Sequence, residues 1–166
     1  RRGEIHERLL QIVRDNVFRL DRIVQDVLKL GRSDRGVPEP INLREFMDSF
    51  WREFVAVEHV DTGVLVCEIE AETLCFDRSQ LLQVLWNLVG NAVRHCLQRA
   101  GSVCVRSHAT DGGRVELHVI DDGPGVPKEL HDQIFEPFFT TRHQGLGLGL
   151  FIARELCEAN AAVLQL

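Results

Sequence analysis

Lysine is scarce in this 166-residue sequence: only Lys29 and Lys128 occur, and the formal net charge is −6. Such an acidic balance argues against DNA or RNA as the main partner, so we expect no nucleic-acid partner. The sequence also lacks an apolar run of membrane-spanning length and a secretory signal peptide. Its first residue is Arg1 rather than Met, and we expect the chain to be a piece of a longer protein.

The cysteines form no C-x-x-C pair, and their total of five is odd. Both features argue against zinc and against a secreted disulfide scaffold. Each cysteine lies in an apolar pattern, which predicts buried free thiols in a cytosolic protein. The five are Cys67, Cys75, Cys96, Cys104 and Cys157.

Residues 4–30 have the pattern of one long helix. Six apolar side chains follow each other at spacings of 4, 4, 3, 4 and 3 residues, which is the seam of a coiled coil. Nothing nearby in the sequence covers this seam, so we expect a partner helix. The seam consists of Leu9, Val13, Val17, Leu20, Val24 and Val27.

A linker and an α+β domain are predicted to follow. We divide the chain into a coiled-coil-like helix (1–31), a linker (32–41) and a domain (42–166), because "GRSDRGVPEP" has linker composition. Asn42 and Asp77 are predicted helix caps, and "DGG" a hairpin turn. We expect a two-layer α/β sandwich, in which helices cover one face of a mixed, mostly antiparallel sheet. The predicted helices are 43–57, 78–99, 128–134 and from 149 onward; the predicted strands are 64–70, 74–76, 102–110, 114–120 and from 163 onward.

The stretch "HQGLGLGLFIAREL" places Gly145, Gly147 and Gly149 directly before a helical pattern. Glycines allow a backbone to approach a ligand closely, and a helix N-terminus offers free N–H groups to an anion, so the run suggests phosphate. A dinucleotide-binding loop requires a preceding strand, and a Walker A loop requires G-K-[ST]. Neither condition is met here, and both common phosphate loops are excluded.

Two asparagines interrupt the apolar helix "LLQVLWNLVGNAVRHC". Asn87 and Asn91 are four residues apart and therefore share a face, and Arg94 adds a cation on nearly the same side. Taken alone, the pair is best explained by hydrogen bonds to a neighbouring loop. The opposite side is apolar, with Leu81, Leu82, Leu85, Leu88 and Val89.

Two further stretches lie between these motifs. "VIDDGPGVP" places Asp121, Gly123 and Gly125 just after a strand; alone this is an ordinary turn, yet a carboxylate there can accept a hydrogen bond from an exocyclic amine beside a flat ring. "FEPFFTT", residues 135–141, has no helical or strand period, and we expect its phenylalanines to pack a mobile loop onto the core.

The order of these motifs resembles the ATP-binding domain of sensor histidine kinases, within the superfamily shared by gyrase, Hsp90 and MutL. The resemblance covers residues 42–166 and implies that the last strand of the domain is missing. "RLDRIVQDVLKLGRSD" resembles the second helix of the family's dimerisation and phosphoacceptor hairpin. "IARELCEANAAVL" looks most like the branch of type IV pilus sensor kinases and NtrB-like kinases.

The resemblance implies ATP and Mg²⁺ as ligands. Asn91 would hold Mg²⁺ through its amide oxygen, with Asn87 assisting on the same face and Arg94 neutralising phosphates. Asp121 would receive the adenine amine. Residues 136–147 would be a lid, mobile without nucleotide. The other implied nucleotide contacts are His95, Gly123, Gly125, Thr140, Thr141, Gly145, Leu146, Gly147, Leu148 and Gly149.

Two positions depart from the family pattern. Leu146 stands where the family usually has Thr or Ser, and a lost hydroxyl contact is worth about 0.5–1.5 kcal/mol. His6 begins like a phosphoacceptor box, but Arg8, Leu9 and Gln11 do not continue it. We therefore expect His6 to be solvent-facing and the true phosphoacceptor histidine to lie upstream of Arg1.

The resemblance implies a protein-histidine kinase that passes the γ-phosphoryl group of ATP to a histidine and then to a response-regulator aspartate. The full-length protein would form a homodimer through the helical hairpin, and only regions outside this chain would contact the inner membrane. Two alternatives stay open. One is an ATP hydrolase of the gyrase and Hsp90 branch, against which Asn87 argues, because an amide cannot take a proton from water. The other is a nucleotide-binding or partner-binding module without catalysis, to which Leu146 gives weight.

Overall fold

Residues 36–141 and 146–166 are described in the computed structural model of this chain. The helix predicted over residues 4–30, His6 and Gly145 lie outside them, and the predictions made there stay predictions. The described elements are β1 (Glu39–Asn42), α1 (Leu43–Glu58), β2 (Leu65–Ile69), β3 (Thr73–Phe76), α2 (Arg78–His95), β4 (Val103–Ala109), β5 (Val115–Asp121) and α3 (Gly149–Ala159), with short 3₁₀ helices at Thr62–Val64 and Lys128–Leu130.

Strand β1 corrects the predicted linker, because residues 39–41 are part of the domain. This strand pairs antiparallel with β3, and Pro40 lies opposite Cys75. A proline cannot donate to a ladder, but it is tolerated on an edge strand, and β1 has one neighbour in its two-stranded sheet. Ile41 is buried in the core. Local composition indicated a linker, whereas pairing across more than thirty residues of sequence made a strand.

The second sheet has the order β2-β4-β5, with β2 parallel to β4 and β4 antiparallel to β5. Two of the three strand pairings described are therefore antiparallel, which confirms the predicted mixed, mostly antiparallel character. One face of this sheet is buried with α1 and α2 in the core, through residues such as Leu65, Val103 and Val105. The other face carries exposed side chains, including Glu68 and Arg106. The predicted two-layer α+β sandwich is confirmed.

Both predicted helix caps are present. The Asn42 side chain accepts a hydrogen bond from the Glu45 backbone N–H at 3.1 Å. The Asp77 carboxylate accepts one from the Gln80 backbone N–H at 2.9 Å and another from the Ser79 hydroxyl at 2.6 Å. Each cap satisfies a donor that the first helical turn leaves unpaired.

Acid should weaken the cap of α2 before it weakens a neutral cap. Hydrogen bonds from Ser79 and from the Gln80 backbone hold the pKa of Asp77 below its ordinary value of 3.8. A lowered folded-state pKa gives stability that is present above about pH 4 and lost as the pH falls through the folded pKa. Asp77→Asn keeps a capping oxygen without a titrating group, so its unfolding free energy should fall less steeply between about pH 4 and pH 2. Urea titrations at stepped pH measure this; equal slopes for both proteins would contradict it.

Several predicted boundaries are wrong. Helix α2 ends at His95, not near residue 99, because the next residue, Cys96, leaves the helical conformation with φ −70° and ψ 169°. The helix predicted over 128–134 is only a 3₁₀ turn followed by irregular turns. Residues 163–166 form no strand, and Val163 is 84% exposed. Apolar composition alone does not supply the hydrogen-bonding neighbour that a strand requires.

The cysteine prediction is correct in part. Cys96 and Cys157 are buried, Cys104 is half-buried, and all five thiols are free. Cys67 and Cys75 are exposed, which the apolar pattern around them did not indicate. Although the Cys67 residue is exposed, desolvation, followed by the negative charge of Asp48, raises the pKa of Cys67 to about 11. This thiol is therefore not a reactive thiolate at neutral pH. No helix within residues 36–141 and 146–166 is both long and apolar enough to cross a membrane.

Candidate functional site

Helix α2 forms one wall of the candidate site. Its core-facing side chains, including Leu81, Leu85 and Val89, are buried, while Asn87 and Asn91 are half-buried. The predicted division of the helix into an apolar face and an amide-bearing face is confirmed. Since burial of the apolar side fixes the rotation of the helix, both amides lie where loops from elsewhere in the chain can reach them.

Asn91 and Arg94 contact each other directly. The Arg94 Nη2 atom donates a hydrogen bond to the Asn91 Oδ1 atom at 2.7 Å. The guanidinium group also lies over the helix backbone, since a Cβ built at Gly90 would be 3.3 Å from the Arg94 Nη1 atom. The amide oxygen of Asn91 thus already contacts a cationic group. The predicted pairing of these two residues on one side of the helix is present.

Asn87 lies against the start of α3. A Cβ built at Gly149 would be 3.1 Å from Asn87 Oδ1, so a larger residue would crowd this amide. Leu148 precedes the helix and is buried, and among the described residues no side chain caps the α3 N-terminus. The backbone N–H groups of that first turn are therefore available to an anion. The structure brings the asparagine face and the glycine run together.

Gly147 holds the glycine run against the segment after Pro137. It adopts φ +67°, and its carbonyl accepts a hydrogen bond from the Phe138 N–H at 3.0 Å. A Cβ at this position would lie 2.3 Å from the Phe139 carbonyl oxygen and 2.5 Å from the Phe138 carbonyl carbon. Both neighbouring atoms belong to the backbone, which cannot move aside as a side chain can. Only glycine fits here.

The loop after β5 packs on the C-terminal end of α2. The Asp121 Oδ1 atom accepts a hydrogen bond from the Gly123 N–H at 2.9 Å. A Cβ built at Gly123 would lie 2.6 Å from the His95 carbonyl oxygen, so this glycine is required for the close approach. Asp121 is an exposed residue. His95, Asp121 and Gly123 therefore lie close together; their contact with nucleotide stays a prediction.

Asp122 was missed by the sequence analysis. Its carboxylate accepts hydrogen bonds from the Leu97 backbone N–H at 2.8 Å and from the Ser102 hydroxyl at 2.9 Å. These bonds, that of the Leu97 N–H first, lower the pKa of Asp122 below its ordinary range. This aspartate fastens the loop that carries Asp121 to the end of α2. The doubled aspartate in "VIDDGPGVP" was its only local signal.

Helix α3 is tied to α2 through Asn160, which the sequence did not single out. The Asn160 Oδ1 atom accepts a hydrogen bond from the Asp77 N–H at 2.8 Å, and its Nδ2 atom donates to Gln80 Oε1 at 2.6 Å. The two helices that present the site residues are thereby fixed at one end. The stretch "CEANAAV" is equally compatible with an asparagine that only caps the end of the helix, so it does not indicate the contacts with Asp77 and Gln80.

The other site residues predicted from the sequence differ in exposure. Thr140 and Thr141 are exposed and Leu146 is half-buried. Gly125 has φ +72°, and a Cβ built there would meet no atom of the described residues within 4 Å. Phe138 is 71% exposed, which corrects the expectation that all three phenylalanines pack inward.

Along α2 the motifs are thus ordered from one end to the other. Gly149 lies beside Asn87, Arg94 bonds Asn91 one turn further on, and Gly123 lies beside His95. The face offers amide oxygens, one guanidinium group and a set of free helix N–H groups. Helix α2 contains no aspartate or glutamate. Such an arrangement suits binding of a phosphate-bearing ligand and offers no carboxylate general base from this helix.

The sequence of residues 76–165 matches the family described as histidine kinase-, DNA gyrase B-, and HSP90-like ATPase. This range begins just before the Asp77 cap and includes Asn87, Asp121 and Gly149. More than half of the chain is matched.

Individual relatives agree with this match. The sensor protein kinase PilS of Pseudomonas aeruginosa is 38% identical over 160 residues, covering 93% of this chain and 30% of PilS. Full-length ShkA, solved in complex with AMPPNP, is similar with a TM-score of 0.68 and 31% identity, over 84% of this chain and 31% of ShkA. The histidine kinase ThkA, solved in complex with the response regulator protein TrrA, is similar with a TM-score of 0.67 and 29% identity, over 91% of this chain and 43% of that chain.

This chain spans about a third of the length of the curated relatives it matches. The branch expected from the sequence is confirmed by the similarity to PilS. The chain belongs to the family of histidine kinase-, DNA gyrase B- and HSP90-like ATPases, and the relatives it resembles in that family are sensor histidine kinases.

Proposed function

We propose that this chain is the ATP-binding catalytic part of a protein-histidine kinase. In the reaction, the bond between the γ-phosphorus and the β–γ bridging oxygen of ATP breaks. A bond forms between the γ-phosphorus and a histidine ring nitrogen, and ADP leaves. The ordering of Gly149, Asn91 and Gly123 along one face of α2 is the observation that carries this proposal.

The two ends of this face suit the two ends of ATP. At one end, the uncapped N-terminus of α3 beside Asn87 offers N–H donors for phosphate oxygens. At the other end, the carboxylate of exposed Asp121 is an acceptor for the adenine amine, and the open space at Gly125 leaves room for the ring. A nucleotide lying along α2 would contact both ends. AMPPNP in the related ShkA supports ATP as the ligand.

Asn91 fits a magnesium site through the chemistry of its donor. Mg²⁺ prefers oxygen ligands, and it commonly takes one or two from protein and the rest from phosphate and water. The Asn91 Oδ1 atom already accepts a hydrogen bond from the Arg94 guanidinium group. If Asn91 holds the metal, repulsion between Mg²⁺ and the guanidinium group would favour movement of Arg94 away from that oxygen, and its charge would then be available to phosphate. Mg²⁺ itself would neutralise the phosphates of the bound nucleotide.

The nucleotide-facing loop would include Gly145, Leu146 and Gly147. Gly147 already anchors one end of this loop on Phe138. Half-buried Leu146 lacks a hydroxyl group for phosphate, which costs about 0.5–1.5 kcal/mol of binding. Thr140, Thr141 and Leu148 lie on either side of this loop in sequence. The proposed lid, residues 136–147, should exchange amide hydrogens more slowly when ATP is added.

The partners of the whole protein follow from the same proposal. ThkA was solved with a response regulator protein, which supports a receiver domain as the partner that takes the phosphoryl group. A homodimer through the helical hairpin, cytoplasmic placement of this part and anchoring of the full-length protein in the inner membrane complete the proposal. Regulation of the type IV pilus is the corresponding proposal for its biological role.

An ATP hydrolase is the second candidate, and the composition of α2 argues against it. Activation of water needs a group that can accept a proton, and α2 carries none of the carboxylates that could do so. By the family resemblance, Asn87 corresponds to the glutamate of the hydrolase branch. We therefore expect little phosphate release from ATP when no acceptor histidine is present.

Incubation with γ-labelled ATP and a separately supplied dimerisation hairpin tests the proposal. We expect acid-labile phosphate on the hairpin and none on this chain, including at His6. A chain that binds ATP but transfers nothing would support a binding module instead. Rapid release of inorganic phosphate without the hairpin would support the hydrolase, and phosphohistidine at His6 would overturn the assignment of the acceptor.

Asp121 should set the choice of base. If its free oxygen accepts from the adenine amine, GTP would present a carbonyl oxygen at the same place, and two acceptors would face each other. We expect ATP to bind roughly 10–100 times more tightly than GTP, as for a hydrogen bond to a charged group. Asp121→Asn should weaken ATP binding in calorimetry without changing the fold.

Asp111→Asn is the matched control for Asp121→Asn, since it removes one negative charge from the hairpin turn. It should leave the affinity for ATP unchanged. Equal affinities of the unsubstituted chain for ATP and GTP would contradict the role of Asp121.

A further inference from the structure

Three metal-ligating side chains meet on the outer face of the β4–β5 hairpin. They are His108, Glu116 and His118, and one ligand atom from each lies within 4.8 Å of the other two. Cysteine spacing had argued against zinc, but this cluster contains no cysteine. It lies apart from the α2 face, and it has no part in the proposed kinase chemistry.

The register of the hairpin creates the cluster. His108 on β4 lies directly opposite Glu116 on β5, and His118 follows two residues later on the same face of β5. Side chains opposite each other on neighbouring strands, and those on the adjacent diagonal, are close enough to interact. The tight turn at residues 111–113 fixes that register. Three residues spread over positions 108–118 therefore share one small surface.

Two of the three separations between ligand atoms match those around a tetrahedral metal ion, and the third, between the two histidines, is within 4.8 Å. The Nε2 atoms of His108 and His118 each lie 3.2 Å from the Glu116 Oε2 atom. With metal–ligand distances of about 2.0–2.1 Å, two ligands of a tetrahedral zinc ion are roughly 3.3 Å apart. The imidazole rings lie nearly parallel, with centroids 5.1 Å apart and an angle of 12° between their planes. Both rings thus present the same nitrogen to one carboxylate oxygen.

The surroundings permit an ion to enter. The three side chains are 37%, 51% and 45% exposed for His108, Glu116 and His118, so water and metal ions can reach them. Arg106 lies opposite His118 in the ladder, and a free guanidinium group there would repel a cation. Its Nε atom instead donates to Glu68 Oε2 at 2.6 Å, which offsets that charge.

We propose that His108, Glu116 and His118 bind a divalent transition-metal ion, with Zn²⁺ as the representative. Two imidazoles and one carboxylate are a ligand set that favours Zn²⁺, Cu²⁺ or Ni²⁺ over Mg²⁺ and Ca²⁺, which prefer oxygen ligands. Water completes the fourth position. The bound ion ties β4 to β5, and β5 ends at Asp121.

Zinc titration by calorimetry of the chelator-treated full chain, in excess Mg²⁺, tests this site. We expect one strong Zn²⁺ site, and His118→Ala, His108→Ala and Glu116→Gln should each weaken it by about tenfold or more. Co²⁺ in place of Zn²⁺ should give the intense visible absorption of a tetrahedral ion. The thermal midpoint should rise with Zn²⁺ in the unsubstituted chain and not in His118→Ala.

His59→Asn is the matched control, because it removes an exposed imidazole elsewhere, and Asn tolerates the left-handed φ of 54° found there. It should bind Zn²⁺ like the unsubstituted chain. Glu116→Gln keeps the shape of the side chain, so it tests the site even if an alanine variant folds poorly. Unchanged zinc affinity in all three site variants would overturn the proposal. Complete loss of Zn²⁺ binding in the presence of millimolar Mg²⁺ would also overturn it. Neither result would bear on ATP binding.

Discussion

Replacing Gly147 with alanine should cost this domain about 2–5 kcal/mol of unfolding free energy and abolish most of its affinity for nucleotide. The left-handed φ of +67° accounts for about 1–2 kcal/mol of that loss. The remainder comes from overlap, since the new Cβ would lie 2.3 Å from the Phe139 carbonyl oxygen. Relief requires the glycine run to separate from Phe138, and the start of α3 would move with it. Urea denaturation and ATP calorimetry measure the two effects.

Gly113→Ala separates the two causes of that loss. Gly113 has a nearly identical φ of +72°, but a Cβ there would meet nothing within 4 Å. This hairpin variant should lose only the conformational cost of about 1–2 kcal/mol and keep its affinity for ATP. If both variants were destabilised equally and both bound ATP normally, the contact between Gly147 and Phe139 would not matter for the site.

Asn91→Ala should weaken the binding of Mg·ATP by tenfold or more and leave the domain folded. Loss of an oxygen that contacts a charged partner is worth about 1.5–3 kcal/mol. Asn91 is half-buried on the face of α2 away from the core, and alanine is a better helix former, so stability should change little. The deficit should be much smaller when ATP is titrated without Mg²⁺. Calorimetry under both conditions distinguishes a metal ligand from a contact to the nucleotide itself.

Asn42→Ala is the matched control for Asn91→Ala, with the expected effects on stability and on binding reversed. It also removes one asparagine amide, but at the α1 cap, where its oxygen accepts from the Glu45 N–H. This variant should lose about 1 kcal/mol of stability and bind Mg·ATP normally. An Asn91→Ala protein with unchanged affinity in the presence of Mg²⁺ would show that the metal is held elsewhere.

Features that depend on neighbouring residues were predictable from the sequence. The caps at Asn42 and Asp77 form across three residues, and the β4–β5 hairpin forms around a three-residue turn. The amide face of α2 follows from a spacing of four residues along one helix. In each case the interacting groups are separated by a single turn of chain, so residue type and spacing fix the geometry.

The family resemblance identified more than those local rules could. It assigned Asn87, Asp121 and Gly149 to one site, although a pair of amides, a D-D-G turn and a glycine run have ordinary structural explanations when each is taken alone. The structure shows Gly149 beside Asn87 and Gly123 beside His95. These contacts join segments that are tens of residues apart, and no periodicity in the sequence encodes them.

Tertiary structure alone decided the remaining features. Residues 39–41 were predicted to belong to a linker, but they form a strand because they pair with β3. Asp122 and Asn160 became anchors only because Leu97 and Asp77 offer them backbone N–H groups from other elements. The histidine cluster depends on the register of β4 against β5, and a slip of one residue would turn His118 to the opposite face of the sheet. Sequence fixes which groups a residue offers, whereas long-range packing selects the partner that each group meets.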